Sequence, residues 1–166
     1  CEVAVFMMKI SIIAVGKVKE KYFTEACNEY AKRLGAFCKF SITEINEYKC
    51  PDNPSPADIE ATIEAEGQRI LAAIPNGATV VPMCIEGKQK SSDELAEFIS
   101  NAAVRGVSSI CFIIGGSWGL DERVKSAGSL RLSISPMTFP HTLARVMLTE
   151  QIYRAFTIIN GSKYHK

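Results

Sequence analysis

The chain has 166 residues, 47% of them hydrophobic and 22% charged, and its 19 Lys and Arg against 18 Asp and Glu leave a formal net charge of +1. That profile fits one ordinary globular domain with a real core, and no run approaches the roughly 18 apolar residues of a membrane span. The six cysteines, at 1, 27, 38, 50, 84 and 111, make no Cys-x-x-Cys pair and have only two histidines to join them. A metal site is therefore not expected, and Cys84 and Cys111, inside apolar runs, read as reduced core thiols of a cytoplasmic protein.

Residues 1–7 are mildly apolar but have neither a basic leader nor a small-residue cleavage site, whereas Met8-Lys9-Ile10 reads as a natural start. They are taken as a leader or added extension, and 8–166 as a single domain. Lys9 to Val15 is a β-branched run closed by Gly16, a first strand. Phe23, Ala26, Cys27, Tyr30 and Leu34 keep helical spacing, which predicts a helix over 19–34 stopped by Gly35. Phe40 to Tyr48 alternates, with a slip in phase, as a half-buried or edge strand does, and the three prolines of 50–56 make a stiff loop. A second helix is expected over 57–74. Thr79 to Ile85 and Ser109 to Ile114 are nearly unbroken apolar runs, the mark of parallel strands covered on both faces. Between them Ser91-Ser-Asp-Glu94 is a capping-box start for a helix using Leu95, Phe98, Ile99, Ala102 and Ala103.

After the second buried strand the chain empties into Gly115-Gly-Ser-Trp-Gly-Leu120, then a short helix near 121–127. Three glycines let backbone approach a ligand closely. The run is neither a P-loop, nor a dinucleotide fingerprint, nor a serine-hydrolase elbow, so the glycines alone leave the chemistry open. Leu130 to Ile134 can be a strand, but Pro136 and Pro140 force Ser135 to Phe139 into irregular extended chain. From His141 to about Ile159 a helix is expected whose stripe of Leu143, Val146, Met147, Tyr153 and Phe156 is apolar except for Glu150. Glu150 is either half of an exposed i,i+4 pair with Arg154 or a carboxylate that orients a base or an arginine at a site. Gly161 stops the helix, and Tyr164-His165-Lys166 ends the chain.

The order of elements is that of an alternating α/β domain, in which ligands bind outside the carboxyl ends of the strands. Three strand ends become candidates for one pocket: Met83 to Lys88, Gly115-Gly116, and Ile134 to Phe139. Charge is also uneven: from Arg123 to Lys166 there are seven Lys and Arg against Glu150 alone, while the other 122 residues carry twelve basic and seventeen acidic groups. That asymmetry suggests an anionic partner at the C-terminal third.

The runs IIGGSWGL, LRLSISPMTFPHTLARVMLTEQIYRA and the terminal YHK, with the MKISIIAVGKVKEKY start, LGAF and EGQRIL, resemble the SPOUT-class bacterial methyltransferases that modify a pseudouridine of large-subunit ribosomal RNA. The resemblance spans 8–166; the leader and Trp118 depart from it. It implies a SPOUT-type α/β knot, a mostly parallel sheet flanked by helices with a C-terminal deep trefoil knot. It further implies a homodimer, S-adenosyl-L-methionine as cofactor, and methylation of the N3 of a pseudouridine in 23S rRNA on the assembled ribosome, with no membrane and no metal. By similarity Met83, Gly115, Gly116, Ile134, Ser135, Pro136, Met137, Thr138 and Phe139 hold the cofactor. Tyr164, His165 and Lys166 form part of the substrate pocket and in the dimer reach the neighbouring subunit's cofactor.

The base nitrogen must lose a proton, for which His141 and Glu150 are the candidate acceptors, while Arg154 or Arg145 would stabilise charge developing on the ring carbonyls. A net charge of +1 predicts weak binding to isolated RNA. The rival readings are a non-catalytic RNA- or ribosome-binding module of the same fold and a nucleotide-binding protein using the glycine loop for phosphate.

Overall fold

A strand covered on both faces needs no polar side, and the centre of this sheet shows it: every residue of β4 (Ser109–Ile114) is buried. The computed structural model describes residues 8–166, so Cys1 and the expected leader lie outside the described residues. Around β4 stand β1 (Lys9–Val15), β2 (Lys39–Ile45), β3 (Thr79–Gln89) and the two-residue β5 (Leu132–Ser133), in the order β2-β1-β4-β3-β5, every pair parallel. Helices α1 (Lys21–Leu34), α3 (Ser92–Val104) and α5 (His141–Ile159) cover one face, where Leu34, Ile99, Phe112, Leu148, Ile152 and Phe156 form the larger core. On the other face α2 (Pro56–Ala73) and α4 (Glu122–Ala127) enclose Ile13, Ile70, Ile113 and Val124.

Local chemistry sets the boundaries. Two helix starts are closed reciprocally by a serine: Ser91 with Glu94, as its capping box predicts, and Ser55 with Asp58, a cap that the sequence reading did not single out. The second strand ends at Ile45, three residues short of the expected Tyr48, because α2 captures the following loop: Arg69 donates to the Asn46 carbonyl (2.8 Å), and the Tyr48 amide donates to Glu66 (3.4 Å). β3 runs past the expected Ile85 to Gln89 but bulges between Met83 and Lys88, both of which face Leu132. A Cβ on Gly87 would lie 2.8 Å from the Leu132 carbonyl carbon, so only glycine lets β5 pass there. The expected strand over 130–134 shrinks to Leu132–Ser133 accordingly.

One expectation from the sequence is overturned. The face of α5 in the core is Leu148, Ile152, Ala155 and Phe156, with Arg145 and Thr149; of the predicted stripe only Phe156 is buried, and Leu143, Val146, Met147, Glu150 and Tyr153 are half-buried. The helix is apolar on two sides, which blurs a single-stripe reading. The positive charge of the C-terminal third is largely paired within the fold. Arg123 pairs with Asp121, Lys125 with Glu86, Arg131 with Glu122, Arg145 with Glu44 and Arg154 with Glu150, and of those acids only Glu150 belongs to that third. Among the described residues its Lys163 and Lys166 alone have no acid within ion-pair distance.

Candidate active site

The carboxyl ends of β3, β4 and β5 converge on one cavity of about 610 Å³. Its walls are Met83 to Glu86 from the β3 bulge, Gly115 to Ser117 with Gly119 and Leu120 from the glycine loop, and Leu132 to Ser135 with Met137 to His141 from the loop entering α5. The bulge that displaces Cys84 from the ladder also exposes it to the cavity, so Cys84 is half-buried where a core thiol was expected, whereas Cys111 is fully buried. Gly115 is tightly placed: a Cβ would come within 3.0 Å of the Gly119 carbonyl, and the Gly116–Gly119 bridge folds the loop back on itself. Trp118 rides the exposed tip of that turn, where its side chain leaves the cavity floor unaltered.

Sequence order makes the loop 134–139 stiff, and two serine contacts hold its shape. Ser133 Oγ donates to the Ser135 carbonyl at 3.1 Å, and Ser135 Oγ accepts from the Met137 amide at 3.1 Å. Ile134, Met137 and, from the bulge, Ile85 are large apolar side chains left exposed around the opening. Exposed apolar side chains gathered at one mouth are a recognition surface for an apolar or aromatic body.

The lining also decides what kind of nucleotide fits. Lys125 is its one lysine or arginine, and it is tied to Glu86. A triphosphate would meet no free cation, whereas an adenosine carrying an uncharged or cationic sulfur side chain would meet apolar walls and loop backbone groups. The volume lies within the roughly 300–1,000 Å³ of small-molecule sites. S-adenosylmethionine therefore fits the residues present, and Met83, Gly115, Gly116, Ile134, Ser135, Met137, Thr138 and Phe139 are the residues that would hold it. Pro136 is outside the lining and serves to stiffen the loop.

His141 stands at the cavity as the first residue of α5; Pro140 is the N-cap and no side chain caps that end, so the histidine is not engaged as a cap. The other candidate residues form a separate cluster further along α5. Glu150 Oε1 accepts from Arg154 Nε (2.9 Å) and Nη2 (2.5 Å) and from the Tyr164 hydroxyl (3.1 Å), while Glu150 Oε2 accepts from Gln151 (2.8 Å). The ion pair is neither fully exposed nor alone, at 26% and 16% side-chain exposure. Arg154 lies over the Tyr164 ring at 4.7 Å and reaches His165 Nδ1 at 3.3 Å, and Tyr153 packs edge-on against Tyr164 at 4.8 Å. Burial and the neighbouring Tyr30 and Glu150 push the Tyr164 hydroxyl up to about 12, so it stays a neutral donor; Glu150 holds the Arg154 guanidinium protonated.

The structure thus brings His141 to the first cavity and Glu150, Arg154, Tyr164 and His165 to one another, but it does not join the two groups within a protomer. Nine residues of helix separate His141 from Glu150, about 13 Å. Lys166 is exposed at the chain end. A second cavity of about 460 Å³, lined by Tyr30, Lys90, Met147, Glu150 and Gln151, shares Met83, Leu132, Ser133 and Ile134 with the first, so one loop walls both. Arg145 is not available to a substrate: it is 4% exposed and donates to Glu44 (2.7 Å) and to the Gly16 carbonyl (3.0 Å). Sequence reasoning read Tyr30 and Tyr153 only as helix-face residues and did not single out Gln151; Gln151 bonds its neighbour Glu150, whereas Tyr30 joins the tail cluster through the packing of α1 on α5.

Residues 8–165 match the family model described as "Predicted SPOUT methyltransferase". A Clostridium botulinum (strain Alaska E43 / Type E3) protein named ribosomal RNA large subunit methyltransferase H is 51% identical over 159 residues, 96% of this chain and 100% of that protein. One of the same name from Bacillus pumilus (strain SAFR-032) is 48% identical over the same shares. Among solved structures, a probable methyltransferase from Bordetella pertussis Tohama I aligns with a TM-score of 0.55 at 10% identity, covering 90% of this chain and 95% of that one, which speaks for the fold alone.

Proposed function

We propose, from the premise that this chain belongs to the SPOUT methyltransferase family, that it transfers a methyl group from S-adenosylmethionine to large-subunit ribosomal RNA. The base is a pseudouridine of 23S rRNA, modified at N3 on the assembled ribosome. One observation carries the reading: three strand ends build a single cavity without a free cation, and a histidine stands at its mouth. The relatives' name, ribosomal RNA large subunit methyltransferase, supports the RNA substrate.

When bound, the cofactor supplies an electrophilic methyl on a sulfonium. The chain has to hold the base in line with it, remove the imide proton and stabilise the charge left on the ring. His141 is the acceptor this geometry favours, because Glu150 is already saturated by Arg154, Tyr164 and Gln151 and acts as their organiser. Arg154, fixed by two bonds to Glu150, faces the ring carbonyls, and Tyr164 provides a stacking surface and a neutral hydroxyl.

Those two halves meet in a homodimer, in which the tail cluster of one protomer reaches the cavity of its partner. The half-exposed apolar Leu143, Val146 and Met147 on α5 support an interface there, since a helix apolar on two sides seeks a second cover. Membership of the family supports the deep trefoil knot. The test is incubation with labelled S-adenosylmethionine and ribosomes lacking the modification. Label recovered as N3-methylated pseudouridine in 23S rRNA is the expected result; binding of ribosomes without transfer would make this a non-catalytic module.

A further inference from the structure

The pairing of the C-terminal cations leaves the question of where phosphates would be held. Immediately after β1 comes Gly16-Lys17-Val18-Lys19-Glu20-Lys21-Tyr22, at the same end of the sheet as the cavity. Lys17 and Lys19 are exposed and, among the described residues, have no acid within ion-pair distance; Lys21 has Glu25 at 3.8 Å with both side chains largely exposed, an interaction of little worth. Tyr22 is 66% exposed beside them, edge-on to Phe23 at 4.6 Å. The nearby acids are Glu20, Glu25, Glu44, which is paired with Arg145, and Glu47, which lies against Gly16. These lysines do not serve the helix they precede, because cations at a helix N-terminus oppose its dipole and α1 has no acid in its first turn.

The loop is also fixed to the active-site helix. Arg145, one turn beyond His141, donates to the carbonyl of Gly16, the residue before Lys17, and to Glu44 at the end of β2. Its burial makes that bridge a rigid one, so the lysines stand at a set position relative to the cavity mouth.

We infer that Lys17, Lys19 and Lys21, with Tyr22, form the surface that grips the phosphate backbone of the substrate RNA beside the target base. This rests on the RNA reading above. Phosphate contacts position a substrate without reading its sequence, and each adds to the salt dependence of binding. Equally unpaired Lys39 and Arg105 sit at the opposite, amino-terminal end of the strands, where Lys39 opens β2 and Arg105 precedes β4. They provide the control for a simple loss of charge.

The experiment compares the full-length protein, the double variant Lys17→Ala/Lys19→Ala and the control Lys39→Ala/Arg105→Ala, all checked for folding by circular dichroism. It measures the dissociation constant for unmodified large ribosomal subunits between about 50 and 200 mM salt, the KM for the same particles, and S-adenosylmethionine affinity. The first variant is expected to lose roughly tenfold in particle affinity and to lower the log–log salt slope by about 2, with donor affinity unchanged, while the control matches the unaltered protein. A salt slope and KM unchanged in the first variant, or altered equally in both, would overturn the assignment while leaving methylation by the unaltered protein intact. An unaltered protein that neither binds nor methylates the particles would remove the RNA reading together with it.

Discussion

The two ends of α5 make opposite use of their residues. At its start the cavity is walled by backbone, glycine and apolar side chains, with one lysine already tied to a glutamate. Two to three turns on, Glu150, Arg154, Tyr164 and His165 interlock through charge-assisted bonds and a cation–π contact. In the reading proposed above the difference is a division of labour: the first region would recognise the nucleoside of the donor by shape, and the second would meet a polar ring on which charge develops.

The sharpest way to break that division is to remove Tyr164 to Lys166. RNA methylation should fall at least about a thousandfold, since orientation and electrostatic stabilisation are lost together. S-adenosylmethionine binding and the melting temperature should barely move, and normal turnover by the truncated chain would refute the role given to the tail. Next in size, His141→Ala should lower turnover by roughly a hundredfold, the scale of general-base loss, with a much smaller change in donor affinity. If calorimetry shows donor binding lost instead, the histidine is a wall of the cavity and not an acceptor.

Arg145 joins the start of α5 to the strand ends, so its replacement tests whether the first region depends on that bridge. Arg145→Met should destabilise the fold by about 2 kcal/mol in chemical denaturation, less than a fully buried pair because Glu44 is 41% exposed and can rehydrate. The smallest effect concerns α4, whose N-cap Asp121 donates no bond but accepts from the Arg123 amide (2.7 Å) and guanidinium (2.9 Å). Those bonds to Arg123 hold its carboxyl below the ordinary carboxylate range despite burial. A depressed carboxylate stabilises the fold above its unfolded pKa and loses that contribution as pH falls through the folded one. Asp121→Ala should therefore cost about 1 kcal/mol at neutral pH, a difference that shrinks in acid when melting is followed against pH.

Much of this fold was legible in the residues. The buried strands showed as apolar runs, the start of α3 as Ser-Ser-Asp-Glu, and the three strand ends as glycine and proline loops after strands. All of these are local signals. The stripe on α5 misled because the helix carries apolar residues on two faces, and periodicity finds a stripe without saying which side the core takes. Arg145 looked like a site residue because its partners, Glu44 and the Gly16 carbonyl, lie 101 and 129 residues away in sequence. The positive charge of the C-terminal third is mostly paired inside the fold, because its acids arrive from other elements. Tyr30 and Tyr153 were legible only as helix-face residues, since the fold of the tail onto α5 and the packing of α1 beside it bring them to the cluster.

The central claim, that one protomer's cavity works with the other's tail, is tested most directly by mixing two inactive proteins. One is Ala144→Trp, which fills the cavity from the helix side; the other lacks residues 164–166. Co-expressed and purified as a heterodimer, they should methylate unmodified ribosomes at up to about half the rate of the unaltered dimer, because one intact cavity meets one intact tail. A heterodimer of confirmed composition that binds one equivalent of S-adenosylmethionine yet transfers no methyl group would contradict the account.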